Sequence, residues 1–249
     1  GKTLCYNLPV LDTILRDPQA RALYLFPTKA LSQDQLAGLH GLIGALERDV
    51  KTYTYDGDTP GNVRQVIRRA GHIVISNPDM LHTGVLPHHT KWVRLFENLR
   101  YIILDEVHHY RGVFGSHVAN VLRRLLRICR FYGSEPQFLC ASATIANPLE
   151  LAERITGTRG MTLIDENGAP QARKVFVMYN PPVVNRELGL RRSALLESTD
   201  LAGQFLANDI QTIIFARSRT AVEVLLTYLR QAASSHRLSP EKVRGYRGG

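Results

Sequence analysis

Cysteine is scarce and long apolar runs are missing, and each shortage removes a class of protein. The three cysteines, Cys5, Cys129 and Cys140, form no CxxC pair and share no ligand spacing with histidine. That argues against a zinc site and leaves buried free thiols in a reducing compartment as the default. No stretch approaches the ~18 consecutive apolar residues of a membrane-spanning helix, so no membrane partner is expected. There is no initiator Met and no basic-then-apolar leader, so no signal peptide is legible and a cytoplasmic setting is expected, nucleoid-associated if bacterial. The first residue, Gly1, stands inside what reads as a motif, and the sequence is therefore expected to begin within a domain. Internal repeats and low-complexity tracts are also missing.

What is present is ordinary globular material. Hydrophobic residues make up 44% and charged residues 21% of 249 residues, enough for one large α/β domain or for one domain and part of another. Lys and Arg number 31 against 22 Asp and Glu, a formal charge of +9. Basic surface gathers phosphates and releases counterions, so a polyanion fits, although charge alone favours nucleic acid only weakly.

Short β-rich apolar runs alternate with helical stretches. The runs lie at 22–26, 51–55, 72–76, 101–104 and 137–141, with a later set at 174–179 and 212–216. The run 101–104, YIIL, is continuously apolar, as a strand buried on both faces must be. Between residues 115 and 131, Val118, Val121, Leu122, Leu125, Leu126 and Cys129 make one apolar helix face and Arg123, Arg124, Arg127 and Arg130 the other. Strand–helix alternation implies right-handed crossovers and a parallel sheet. Asn77 and Asn147, each followed by proline, read as helix N-caps, and Glu150 three residues after Asn147 suggests a capping box. The Gly- and Pro-bearing stretch 156–173 reads as a passage between domains. A second, incomplete domain follows, with helices near 190–208 and from about Thr220.

Gly1, Lys2 and Thr3 match the end of a GxxxxGK[ST] phosphate loop, with Lys2 facing β/γ-phosphate charge and the Thr3 hydroxyl on Mg²⁺. A tripeptide carries little weight alone. The weight comes from Asp105 and Glu106, two acids directly after an apolar strand, where open α/β sheets bind ligands. One carboxylate can hold Mg²⁺, which suits Asp105, and a second can orient or deprotonate an attacking water, which suits Glu106. The bland alternative is a solvated acidic loop.

With these motifs the chain resembles superfamily 2 helicases of the DExH-box (DEAD/DEAH) type. Residues 26–31, FPTKAL, are similar to motif Ia; 56–59, DGDT, to the following glycine motif; 76–81, SNPDML, to motif Ib. Residues 105–108, DEVH, are similar to motif II; 142–144, SAT, to motif III; 213–217, IIFAR, to motif IV. The segments 86–92, LPHHTKW, and 110–118, YRGVFGSHV, resemble the bacterial mitomycin-repair helicases and their fungal RecQ-four-like relatives. That resemblance implies an α/β fold with a RecA-like parallel sheet flanked by helices. Residues 1–168 would be a nearly complete first motor domain lacking its first strand and half its phosphate loop, and 169–249 the front of a second. It implies an ATP- and Mg²⁺-dependent helicase, 3′→5′ and in DNA repair, with DNA favoured over RNA as partner. An RNA-remodelling DExH enzyme and a non-enzymatic nucleic-acid-binding protein are the rivals.

The resemblance also assigns roles. Thr28, Lys29 and Gln33 would touch the nucleic-acid backbone, although Thr28 also suits a plain N-cap. Gly57 and Thr59 would admit a phosphate, or form a β-turn. Asn77 and Asp79 carry the same ambiguity, and Arg217 belongs with the nucleic-acid set. His108 would relay nucleotide state, and Ser142 and Thr144 would couple hydrolysis to domain closure. His88, His89, His109 and His117 lack ligand partners at metal spacing, and Trp92 reads as core. Nothing resembles motif V or the arginine-bearing motif VI, so these 249 residues by themselves are expected to show no meaningful ATPase.

Overall fold

The computed structural model describes residues 2–46, 48–166, 168, 170, 172–235 and 239–246. The chain divides into two compact units, Gly1–Asn167 and Gly168–Gly249. In the first, five strands form one wholly parallel sheet: β1 (Arg21–Leu25), β2 (Thr52–Thr54), β3 (Ile73–Ser76), β4 (Leu99–Leu104) and β5 (Gln137–Cys140), in the order β2-β3-β1-β4-β5. Helices α1 (Lys2–Arg16), α2 (Lys29–Ala45), α3 (Gly61–Ala70), α4 (Pro78–Met80), α5 (Val93–Glu97), α6 (Gly112–Phe131) and α7 (Pro148–Thr156) fill the connections. The five expected runs of this unit are therefore strands.

The period of two along each strand sends side chains to two separate cores. Ala22, Tyr24, Ile73, Ile75 and Ile103 meet Tyr6, Val10, Leu11 and Ile14 of α1 and Leu39 of α2. Leu23, Leu25, Val74, Ile102 and Leu104 meet Ile67 of α3, Leu95 of α5 and Val118, Leu122 and Leu125 of α6. The sheet is thus sandwiched between helices. Trp92 is fully buried in the second core, edge-on to Tyr55 with ring centroids 4.7 Å apart. On α6 the expected apolar face is inward, while Arg123, Arg127 and Arg130 face solvent and Arg124 is half-buried.

One close approach fixes the start of α6. A Cβ on Gly115 would lie 2.3 Å from the carbonyl oxygen of Tyr110, which no side chain tolerates. The backbone just after β4 therefore packs directly on the helix.

Helix starts follow the expected residues with one correction. Asn77 caps α4, its Oδ1 accepting from the Met80 amide at 2.8 Å. Asn147 precedes α7 but makes no side-chain cap. Its amide instead donates to the Glu150 carboxylate at 3.1 Å, so the two side chains satisfy each other and the reciprocal bonds of a capping box are not made.

The second unit holds a short antiparallel pair, β6 (Val183–Asn185) with β7 (Leu190–Arg191), and helices α8 (Ala194–Ala207) and α9 (Arg219–Ser235). The helices expected near 190–208 and from Thr220 are α8 and α9. The strands expected at 174–179 and 212–216 are not formed: both segments run without ladder partners. Phe176 is 90% and Phe215 85% exposed. An apolar run becomes a parallel strand only beside hydrogen-bonding neighbours, and none lies against them among the described residues.

Candidate functional site

The C-terminal edge of an open parallel sheet is where loops from separate crossovers converge. Here that edge collects the beginning of α1, the turn after β4 and the segment after β5. Gly1 lies outside the described residues. Lys2 opens α1 and its ammonium donates to the main-chain oxygen of Ser142 at 2.6 Å. Thr3, next on α1, is half-buried.

Asp105 follows β4 directly and is 7% exposed. Its Oδ1 accepts from the Glu106 amide at 2.8 Å and its Oδ2 accepts from the Tyr6 hydroxyl at 2.7 Å. Burial first, then the hydrogen bond and charge of Asp105, push the Tyr6 hydroxyl far above its ordinary value. It therefore remains a proton donor at neutral pH.

Glu106 sits at φ 53°, ψ 43°, left-handed backbone that a non-glycine residue adopts at a cost of about 1–3 kcal/mol. The turn re-aims the carboxylate toward His108, whose Nδ1 is 3.2 Å away. The same Nδ1 lies 3.2 Å from the amide of Ala143. A protonated Nδ1 can donate to Glu106, and a bare one can accept from Ala143, but not both at once. His108 is thus a two-position link between the acid after β4 and the segment after β5. Ser142 Oγ is buried with no partner among the described residues, and Thr144 is exposed.

The remaining candidates of this unit lie on α2, on the loop after β2 and at α4. Thr28 caps α2, its Oγ1 accepting from the Leu31 amide at 3.4 Å. Lys29 donates to the Asp58 carboxylate at 2.7 Å, with both side chains largely exposed. Thr59 Oγ1 accepts from the Asp56 amide at 2.9 Å and closes the turn there. A Cβ on Gly57 would meet nothing within 4 Å, so no protein atom demands glycine at that position. Lys29, Gln33, Asp58 and Thr59 line one open groove of about 570 Å³ between α2 and the β2 edge. Asn77 Oδ1 is engaged in its cap, and Asp79 is exposed beside it. Arg217 belongs to the second unit, where it is exposed just before α9.

Among the described residues no group of three or more His, Cys, Asp or Glu is placed to hold a metal, and no helix is long and apolar enough to cross a membrane. Burial raises the thiol of Cys129 to about 11 and that of Cys140 to about 12, so neither is a nucleophile at neutral pH. Two participants escaped the sequence reading, Tyr6 and Asp58. Tyr6 stands one helical turn after Thr3, a spacing that places both on one face of α1. Asp58 stands inside the DGDT motif itself.

The family description "DEAD/DEAH box helicase" matches residues 1–152. The chain is 61% identical over its whole length to YprA of Bacillus subtilis, described as an uncharacterized ATP-dependent helicase, and covers 33% of that protein. It is 38% identical to the ATP-dependent helicase hrq1 of Schizosaccharomyces pombe, covering 24% of it. The crystal structure of the DUF1998 helicase MrfA bound to DNA and AMPPNP superposes with a TM-score of 0.89 at 62% identity, over 95% of this chain and 33% of that one. The chain thus spans a third or less of the length of these relatives.

Proposed function

The chain belongs to the DEAD/DEAH box helicase family, and from that premise we propose that it is the ATP-hydrolysing part of a DNA helicase. Residues 1–168 are then the RecA-like first motor domain and 169–249 the front of the second. The DNA and AMPPNP held by the MrfA relative support DNA as partner and ATP as fuel. A repair role and 3′→5′ movement rest on the resemblance to the mitomycin-repair helicases and belong to the same proposal, as does a cytoplasmic setting, nucleoid-associated if the source is bacterial.

The observation that carries the reading is the meeting of Lys2, Asp105, Glu106, His108 and the Ser142 carbonyl at one sheet edge. Magnesium fits these residues. Mg²⁺ takes one or two protein oxygens and completes its shell with phosphates and water, and the buried Asp105 carboxylate and the Thr3 hydroxyl offer that number. When bound, the ion would offset phosphate charge.

The chain's own groups then have definite tasks. Lys2 leaves the Ser142 carbonyl to meet phosphate oxygen, which frees the segment after β5. Glu106 orients the attacking water and takes its proton. A proton arriving near Glu106 biases His108 Nδ1 toward Glu106 and away from the Ala143 amide, and so reports the chemistry to Ser142 and Thr144. Lys29, Gln33, Thr59, Asn77 and Asp79 face the strand, whose contacts are to backbone and carry little sequence preference.

The test is ATP turnover by the full-length protein with single-stranded DNA, RNA of the same sequence, or neither. Stimulation by DNA above RNA is expected. Preferential stimulation by RNA would move the reading to an RNA-remodelling enzyme, and no turnover under any condition would refute it.

A further inference from the structure

Tyr6 is a core residue by burial, 3% exposed and edge-on to Tyr24 with centroids 5.7 Å apart. Packing accounts for the ring. It does not account for the hydroxyl, which reaches past the core to Asp105 Oδ2 at 2.7 Å. A tyrosine hydroxyl has one proton, and at that distance from a carboxylate the proton points at Asp105.

The same oxygen lies 3.3 Å from the side-chain amide of Gln35 on α2. The atom placed there is Gln35 Oε1. With its proton committed to Asp105, Tyr6 can only accept from Gln35, which requires the amide in its flipped orientation, Nε2 toward the hydroxyl. Amide orientation is an assignment that the hydrogen-bond network decides. Thr3 stands one turn earlier on α1, at a spacing that puts it on the same helix face as Tyr6. Asp105 Oδ1 is meanwhile held by the Glu106 amide, so both carboxylate oxygens are fixed and the plane of the group is set.

We propose that Tyr6 is a positioning residue that orients the Asp105 carboxylate for the nucleotide-bound cation, with its own hydroxyl steadied from α2 by Gln35. The proposal rests on the ATPase reading above and deepens it. Outer partners that orient a ligand typically change metal affinity or activity by about 10–100-fold when removed. The arrangement also ties α2, which begins at Thr28 and Lys29, to the carboxylate after β4 through two side chains.

The test uses the full-length protein and three forms: wild type, Tyr6→Phe and Tyr24→Phe. Tyr24 is the control, because its ring packs against Tyr6 while its buried hydroxyl donates to Asn7 at 2.9 Å rather than to Asp105. Each form is assayed for the Mg²⁺ concentration that half-saturates ATP turnover. Each is also assayed by electron paramagnetic resonance for Mn²⁺ binding in the presence of AMPPNP, and for melting temperature. Tyr6→Phe is expected to raise the half-saturating Mg²⁺ and weaken Mn²⁺ about 10–100-fold, while Tyr24→Phe leaves both at wild-type values. Equal cation requirements in Tyr6→Phe and wild type, or an equal shift in Tyr24→Phe, would overturn the proposal. Should Tyr6→Phe fail to fold, Gln35→Leu decides. A smaller shift in the same direction supports the proposal, and none refutes it. A wild type that neither turns over ATP nor binds Mn²⁺ with AMPPNP would instead sink the ATPase reading, and this proposal with it.

Discussion

The ammonium of Lys2 donates to the main-chain oxygen of Ser142, 2.6 Å away and 140 residues on in the sequence. The group expected to meet phosphate is therefore held by the segment expected to sense it. Lys2→Ala in the full-length protein should lower ATP turnover by about 10²–10³, the usual loss for one electrostatic contact to a transition state. Lys2 is exposed, so its melting temperature should stay near that of wild type. Wild-type turnover would remove Lys2 from the phosphate site.

Glu106 gives a test that separates strain from chemistry. Glu106→Gln should bind ATP and hydrolyse it about 10²–10⁴ times more slowly. Glu106→Gly should be as inactive, yet melt no lower than wild type, because glycine adopts the observed left-handed backbone freely. A clear fall in melting temperature for the glycine form would mean that the carboxylate's contact with His108 outweighs the backbone strain.

Ser142→Ala combined with Thr144→Ala should keep nucleic-acid-stimulated ATPase and lose strand separation. Folding should be little affected, since Ser142 Oγ has no partner among the described residues and Thr144 is exposed. Parallel ATPase and unwinding assays decide: an equal loss of both would assign the segment a structural task only.

The Lys29–Asp58 pair is exposed and competes with any phosphate for the lysine. Asp58→Asn should tighten DNA binding at low salt, by no more than about fivefold given how little exposed pairs contribute. Lys29→Ala should weaken binding and reduce the slope of log K against log salt by about one. Unchanged slopes in a titration from 50 to 200 mM salt, a span of about two doublings over which such contacts are resolved, would place the strand elsewhere.

His72 predicts a pH dependence of stability. Burial first, then the charge of Arg21, lowers its folded value below the ordinary 6.5, and its Nδ1 accepts from the Lys51 amide at 3.0 Å. The folded protein therefore binds the proton less well than the unfolded chain. Its contribution is complete above the unfolded value and is lost as pH falls below 6.5 toward the folded one. Melting temperature should drop between pH 7.5 and 5.5, the range about one unit to either side of an unperturbed histidine, and less so in His72→Gln. An unchanged drop in the variant would put the dependence on other groups.

The first unit was readable because its central strands, β1, β3 and most of β4, are buried on both faces. Runs such as YIIL at 101–104 leave few alternatives, and the residues that follow them mark the sheet's functional edge. The second unit misled for the same reason: 174–179 and 212–216 are apolar enough for strands, but pairing depends on neighbours that a local pattern does not contain. In the site, Asp105 and Glu106 stood out as candidates only through their place after a strand together with the Gly1-Lys2-Thr3 motif upstream. Thr28, Thr59 and Asn77 were legible as residue types that cap or turn, and the structure finds each of them doing so. Tyr6 was hidden because an aromatic on the buried face of a helix reads as packing, and only the depth of the core shows where its hydroxyl ends. Asp58 was hidden because an exposed acid beside a glycine reads as a turn.

Gly115 leaves no room for a Cβ against the Tyr110 carbonyl, and that contact has a genetic reading. Of all the codons that a saturation library could place at position 115, only those for glycine should survive selection for activity. Val113, 76% exposed, and Ser116 on the other side, also exposed, should accept many. The same library should show the intolerance of position 115 relieved by no second change elsewhere, because the obstacle is main chain and no side-chain substitution can retract it. A single invariant column flanked by permissive ones would be the mutational signature of a helix seated on the turn that carries Glu106 and His108.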